Sequence, residues 1–185
     1  MLGLNFFALH NNILPMDRMY VIQVETTNEH LVANECKNLI LIDREEAFVP
    51  ICRREQRRAG QLIQIEKVMF PGYVFLVTAV PENLFLRLKK VPRLTKMLRV
   101  GDDIMPISEK EEDVIRRLIN KEHIVEMSRG YIKGDKVVVE EGPLVGLEGI
   151  IKQINRHKRT AKIELQLEDK TINVIVGLEI VSKTE

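Results

Sequence analysis

From Tyr131 to Val176 the sequence reads YIKGDKVVVE EGPLVGLEGI IKQINRHKRT AKIELQLEDK TINVIV. Four short runs in it are rich in β-branched or alternating apolar residues: Lys136-Val137-Val138-Val139, Gly149-Ile150-Ile151-Lys152-Gln153-Ile154, Ala161–Leu167 and Thr171–Val176. Gly142-Pro143 makes a turn, and Asn155–Arg159 makes a second, charged one. No helical spacing interrupts the series. Strands this short and this evenly spaced predict a small β-barrel over residues 131–185, because closure hides the edges that an open sheet would expose. Gly142, Gly146 and Gly149 serve turns and a tight bend there; a phosphate loop would need a following Lys-Ser/Thr and a helix N-terminus.

Towards the N-terminus the pattern changes. Lys121–Gly130 is polar with isolated apolar residues and reads as a linker. Before it, Ser108-Glu109-Lys110-Glu111 is a capping box, opening a helix with Val114, Ile115, Leu118 and Ile119 on one face. Tyr20–Val24 is a strand. Asn28 is placed to cap a helix whose apolar positions are Val32, Cys36, Leu39 and Ile40. Glu46–Glu55 is a strand broken at Pro50, and Leu62–Ile65 another. Between them Arg53, Arg54, Arg57 and Arg58 lead to Gly60, so the pair forms a hairpin with a basic tip. Val74–Val77 follows, and Pro81 opens a helix with Leu84, Phe85 and Leu88 inward. Residues 19–120 thus form a mixed α/β domain. Residues 1–18 lack this periodicity and are expected to be a disordered extension, with Met19 a possible natural start.

Apolar residues make up 45% of the 185 and charged residues 30%, with a formal net charge of +1. Any basic surface must therefore be local. The two cysteines, Cys36 and Cys52, have no C-x-x-C spacing and fit a reducing compartment as inert thiols. The four histidines show no metal-ligand spacing, so no metal and no cofactor are expected. No segment approaches membrane-spanning length, which predicts a cytoplasmic protein. No dinucleotide, Walker, zincin or nucleophile-elbow motif occurs. Glu109, Glu111, Glu112 and Asp113 complement a helix dipole, and Glu140-Glu141 sits at a turn. The reading is of a protein that binds and is not an enzyme.

Tyr20–Val24, Phe70-Pro71-Gly72-Tyr73-Val74, Val91-Pro92-Arg93 and Pro106-Ile107-Ser108, in that order, resemble the N-terminal domain of NusG-type transcription elongation factors. Lys133-Gly134-Asp135 to Val139, Gly142-Pro143 and Gly146-Leu147-Glu148-Gly149 resemble the family's KOW module. The resemblance implies an α+β chain: a ferredoxin-like α/β sandwich, then a five-stranded barrel. It implies RNA polymerase as partner. An apolar cavity would grip the clamp helices through Met19, Tyr20, Phe70, Pro71 and Tyr73, with Met19 where the family usually has Trp. A gate-loop contact would fall at Asn83, Leu84 and Phe85. The alternative for Phe70 and Tyr73 is packing of the domain core.

Three positions depart from the general factor: Met19, Leu144 in place of Phe, and Glu168 where a Phe docks onto Rho or a ribosomal protein. Together they resemble a specialised paralogue of the RfaH or LoaP kind, a monomeric antiterminator, the LoaP group being recruited by a hairpin in nascent leader RNA. Two basic patches suit RNA phosphates: Arg53, Arg54, Arg57 and Arg58 on the hairpin, and Lys152, Arg156, His157, Lys158, Arg159 and Lys162 around the barrel turn. Each could instead be a solvated charged turn. Two rival readings are a general factor coupling polymerase to Rho or the ribosome, and an RNA-binding, translation-associated protein using its barrel alone. The β-branched content of residues 137–176 predicts strands in this module rather than a helical hairpin.

Overall fold

A computed structural model describes residues 17–79, 84–92, 94–97, 99–100, 103–167 and 170–184. In chain order the elements begin with β1 (Arg18–Val24), α1 (Glu29–Leu39), β2 (Glu46–Phe48), β3 (Ile51–Arg58) and β4 (Gln61–Val68). Next come β5 (Tyr73–Thr78), α2 (Leu84–Leu88), β6 (Leu94–Met97), β7 (Arg99–Val100), β8 (Asp103–Ile104) and α3 (Glu109–Leu118). The rest is all β: β9 (Ile124–Val125), β10 (Ser128–Lys133), β11 (Lys136–Glu141), β12 (Ile151–Asn155), β13 (Thr160–Leu167) and β14 (Lys170–Thr184). Contacts divide the chain into two units. One reaches to Val49 and resumes over Pro71–Ile107; the other takes Pro50–Phe70 and everything from Ser108 onward.

The first unit holds a four-stranded sheet in the order β2-β5-β1-β6, with each neighbouring pair antiparallel. With α1 and α2 as crossovers this is the ferredoxin-like arrangement, interrupted by the β3–β4 hairpin between β2 and β5. Val21, Ile22, Val74, Phe75 and Leu76 are all buried, so both faces of the central strands are covered. Phe48 and Phe75 stack with ring centroids 5.6 Å apart. The helix α1 buries Val32, Ala33 and Cys36. Leu39, expected inward, is its last residue and is 54% exposed. Asn28 occupies the N-cap but makes no capping bond; its Nδ2 donates to Glu25 Oε2 at 3.2 Å instead. The adjoining carboxylate of Glu29 is buried and accepts the Gly72 N–H at 2.6 Å. Pro71-Gly72 is a turn with Gly72 at φ +84°, the left-handed position that a type II turn gives to glycine. The Pro-Gly-Tyr turn is thus locked to the start of α1.

The second unit holds a five-stranded sheet, β11-β10-β14-β13-β12, and a three-stranded sheet, β4-β3-β9. A short 3-10 turn at Glu148–Ile150 packs against β11 and β13. The strand expected from Gly149 therefore begins at Ile151. The turn is held because the Glu148 carboxylate accepts the Val139 N–H at 3.2 Å. Backbone hydrogen bonds, its own N–H first, outweigh desolvation and keep this carboxyl below the usual range. β14 is longer than the Thr171–Val176 expected. As far as Gly177 it pairs antiparallel with β13; from Leu178 it pairs in parallel with β10.

The stretch 121–130, expected to be a linker, carries β9 and the start of β10. Its scattered apolar residues serve this pairing. Val125 is fully buried, and Ile124-Val125 pairs in parallel with Ile51-Cys52 of β3. The Asn120 Oδ1 accepts the N–H groups of Glu122 and Ile124, turning the chain out of α3. The capping box at Ser108 is formed, with Glu111 N–H donating to Ser108 Oγ and Ser108 N–H to Glu111 Oε2. Ile115 and Leu118 are the buried residues of that helix's apolar face. The expected extension lies outside the described residues up to position 16, as do Pro81, Asn83 and Glu168.

Candidate functional site

The hairpin arginines fall into two sets by strand alternation. On β3, Arg53, Glu55 and Arg57 share one face, and Arg54, Gln56 and Arg58 the other. Arg53 is tied down: it donates to Glu66 directly across the ladder at 2.8 Å and to Glu126 at 2.5 Å. These carboxylates, Glu66 first, raise its pKa further. Arg57 and Arg58 are exposed at the tip, where Ala59 (φ +48°) and Gly60 (φ +82°) make the two-residue turn.

The turn from β12 to β13 divides in the same way. Asn155 Oδ1 accepts the Lys158 N–H at 2.9 Å, and Arg159 N–H donates to the Arg156 carbonyl at 3.2 Å. The Arg159 guanidinium lies 2.7 Å from Glu179 and 2.9 Å from Glu55. Glu179 also takes Arg129 Nε at 3.1 Å. The Glu55 contact is an ion pair without hydrogen-bond alignment, since Arg159 Nε and Glu55 Oε2 both lack a bonded partner. Lys152 pairs with Glu164 at 3.2 Å. Among the described residues Arg156, His157 and Lys158 are exposed and carry no ion pair, and Lys162 is part-buried.

Glu55 therefore joins the two basic patches. Arg57 stands two residues beyond Glu55 on the same face, roughly 7 Å farther along the strand. Of the ten basic candidates, Arg53 and Arg159 are committed to carboxylates on both sides, Lys152 to one, and Arg54 is part-buried. The solvent-facing positive charge of the two patches that no carboxylate engages is on Arg57, Arg58, Arg156 and Lys158.

The expected polymerase-facing residues are more scattered. Met19, Tyr20, Phe70 and Leu84 are buried at 0–4% exposure. Pro71 is exposed and Tyr73 part-buried. Met19 pairs with Val77 and Tyr73 with Gln23, so these two share a sheet face about 13 Å apart along the strand. Tyr20 points to the opposite face. Asn83 and the Phe85 side chain lie outside the described residues. Among the described side chains of α2, Leu86 presents apolar surface, 58% exposed, because Leu84 and Leu88 take the inward i, i+4 positions. Its exposure follows from that spacing.

Burial pushes the thiols of Cys36 and Cys52 to about 12. Neither is a thiolate near neutrality, so neither is a nucleophile. A thiol reagent at pH 8 is expected to leave the native protein unlabelled over minutes and to label both cysteines in denaturant. Rapid stoichiometric labelling of the native chain would contradict their burial. Among the described residues no group of three or more His, Cys, Asp or Glu side chains could hold a metal ion. No helix among them is long and apolar enough to cross a membrane.

The sequence model of one family, described as "Transcription termination factor nusG", matches residues 17–118. The chain belongs to the NusG family. The "Transcription termination/antitermination protein NusG" of Vibrio vulnificus is 28% identical over 160 residues, spanning 83% of this chain and 88% of its own. The protein of that name from Escherichia coli K12 is 26% identical over 176 residues, 91% of this chain and 97% of its own. Among solved structures, "Domain interaction in Thermotoga maritima NusG" superposes with a TM-score of 0.54 at 18% identity, covering 89% of this chain and 94% of that one. That likeness carries the fold: a mixed α+β NusG architecture with few helices. Within this NusG-family fold the β3–β4 hairpin groups with the C-terminal strands, and the exposed members of the two basic patches lie on that unit.

Proposed function

We propose that this chain is a transcription antitermination factor that binds RNA polymerase through its N-terminal domain and is recruited by a hairpin in nascent RNA. Its membership of the NusG family over residues 17–118 carries the reading. Relatives spanning most of the chain are named for termination and antitermination in transcription. Among the described residues Pro71, Tyr73 and Leu86 are the apolar and aromatic groups in or beside the expected polymerase-facing sites that present surface. Bridging the polymerase cleft from Pro71–Tyr73 to residues 83–85 would favour the enzyme's closed, unpaused conformation. The domain plan follows: residues 19–120 for polymerase, 131–185 as the KOW module, the protein acting as a monomer in the cytoplasm.

The RNA part rests on the exposed cations Arg57, Arg156 and Lys158 beside the Glu55–Arg159 pair, and on Arg58 on the other face of the hairpin. Affinity for a leader hairpin should fall steeply with salt, as phosphate contacts release counterions. The fourfold change Arg57→Ala, Arg58→Ala, Arg156→Ala and Lys158→Ala should flatten that salt slope by about 3 to 4. Transcription by purified polymerase over a terminator, with and without leader RNA in the transcript, tests the whole reading. Read-through that needs both the protein and the leader is expected; read-through indifferent to the leader would remove the recruitment step.

The general factor is the second reading, favoured by the names of the relatives. Glu168 opposes it, because a charge replaces an apolar anchor. Capture of the ribosomal protein or Rho by the purified chain would select it. An RNA-binding, translation-associated protein would leave the NusG match at 17–118 without a role; failure to bind polymerase would favour it.

A further inference from the structure

We propose that the cleft beside the β12–β13 turn holds one unpaired nucleotide of single-stranded RNA. The inference rests on the RNA reading above and adds what that reading lacks, a site that takes a base as well as phosphates. The cleft is open, about 640 Å³ in volume, and lined by Ile154, Asn155, Arg156, His157 and Ile180. That volume lies within the range of small-ligand sites.

Its chemistry is divided. Ile154 and Ile180, both part-buried, offer an apolar floor for the face of a base. His157 is exposed and adds an aromatic ring, the other usual platform for an unstacked base. Arg156 is exposed and unpaired among the described residues, and Lys158 follows in the same turn; both suit the flanking phosphates. Asn155 has its Oδ1 occupied by the Lys158 N–H, so it offers a base the two donors of Nδ2. These donors can meet a base carbonyl such as those of uracil.

The turn is held in place before any ligand arrives. Leu178 N–H donates to the Arg159 carbonyl at 3.0 Å, and Arg159, at φ +51°, is anchored to Glu179. Glu179, next to Ile180 in the chain, is engaged by Arg159 and Arg129, so its charge opposes an incoming phosphate less. A paired base in an A-form helix is stacked and cannot offer its face to this floor. An acidic peptide would satisfy Arg156 and Lys158 but has no planar group for Ile154, Ile180 and His157.

The test uses the full chain, a ten-nucleotide oligouridylate and a blunt twelve-base-pair RNA duplex as probes, with affinity read by fluorescence anisotropy. The oligouridylate is expected to bind at least fivefold more tightly than the duplex. His157→Ala should weaken it roughly fivefold or more, the loss of one base stack, and leave the duplex unchanged. Amide resonances of residues 154–158 and 180 should shift on adding oligouridylate to the unaltered protein, a readout that does not depend on how any variant folds. Equal affinity for both probes, or His157→Ala within twofold and shifts elsewhere, overturns the cleft and leaves the RNA reading standing. Binding of neither probe overturns the cleft, and the RNA reading is then decided by the leader RNA itself.

Discussion

Arg87→Ala is expected to cost about 3 kcal/mol of stability and to lower the melting temperature by about 10 °C or more. The Arg87 guanidinium on α2 donates to Glu45 through both terminal nitrogens, at 2.5 and 2.7 Å, and to the Ile40 carbonyl at 2.7 Å. Glu45 also accepts from Thr78 Oγ1 at 2.7 Å and from the Ile42 N–H at 3.0 Å. Its side chain is 4% exposed and that of Arg87 16%. Burial raises the Glu45 carboxyl, yet the donors, Arg87 foremost, hold it below its ordinary value. A carboxyl depressed in the folded state stabilises fully above its unfolded pKa, and that contribution fades as pH falls through the folded one. Removing Arg87 takes away the largest lowering influence and leaves the burial. The deficit of the variant should therefore be greatest near neutrality and shrink as acid protonates the Glu45 carboxyl. Urea unfolding at several pH values measures it; a deficit below about 0.5 kcal/mol at pH 7, or one that grows in acid, would contradict a desolvated ion pair.

Local patterns in the sequence transferred well to the structure. The capping box, the Ala59-Gly60 hairpin turn and the alternating strands each depend on residues within one or two turns of one another. The Arg87–Glu45 pair had no such signal, because its members lie 42 residues apart. The strand content of residues 121–130 is hidden for a related reason. Their polarity suits a linker, but Asn120 and Ser128 spend their side chains on backbone N–H groups, and Val125 meets a strand 73 residues earlier in the chain. Periodicity cannot report on a two-residue strand.

Among the candidate site residues, residue type was legible and availability was not. Arginines near a hairpin tip look alike in a sequence, yet Arg53 is clamped between Glu66 and Glu126 while Arg57 and Arg58 face solvent. Whether a cation is spent on a carboxylate depends on tertiary register. Met19 and Tyr20 were legible as apolar strand residues. Their register against β5 puts them on opposite faces, so they cannot line one cavity from the same side of the sheet.

Gly177→Val is expected to loosen the hold of the hairpin on the C-terminal strands and to cost about 2 to 3 kcal/mol. Gly177 is where β14 exchanges β13 for β10. A Cβ built there would lie 2.9 Å from the Arg53 carbonyl and 2.1 Å from Met127 Sδ. The sulfur ends a flexible side chain and can swing aside. The carbonyl belongs to β3, which pairs along its whole length with β4, so it can move only by shifting the hairpin. Arg53 and Glu55 ride on that strand, and with them the contacts to Glu126 and Arg159 that gather the basic residues. Gly177→Ala and Met127→Ala, singly and together, separate the two obstructions. If the carbonyl is the limit, Gly177→Ala should remain destabilising by about 1 kcal/mol or more in the Met127→Ala background. Amide resonances of residues 51–55 and 124–125 should then shift together, and RNA affinity should fall with them. Full recovery of stability in the double variant would place the constraint on Met127 alone and leave the hairpin free of β14.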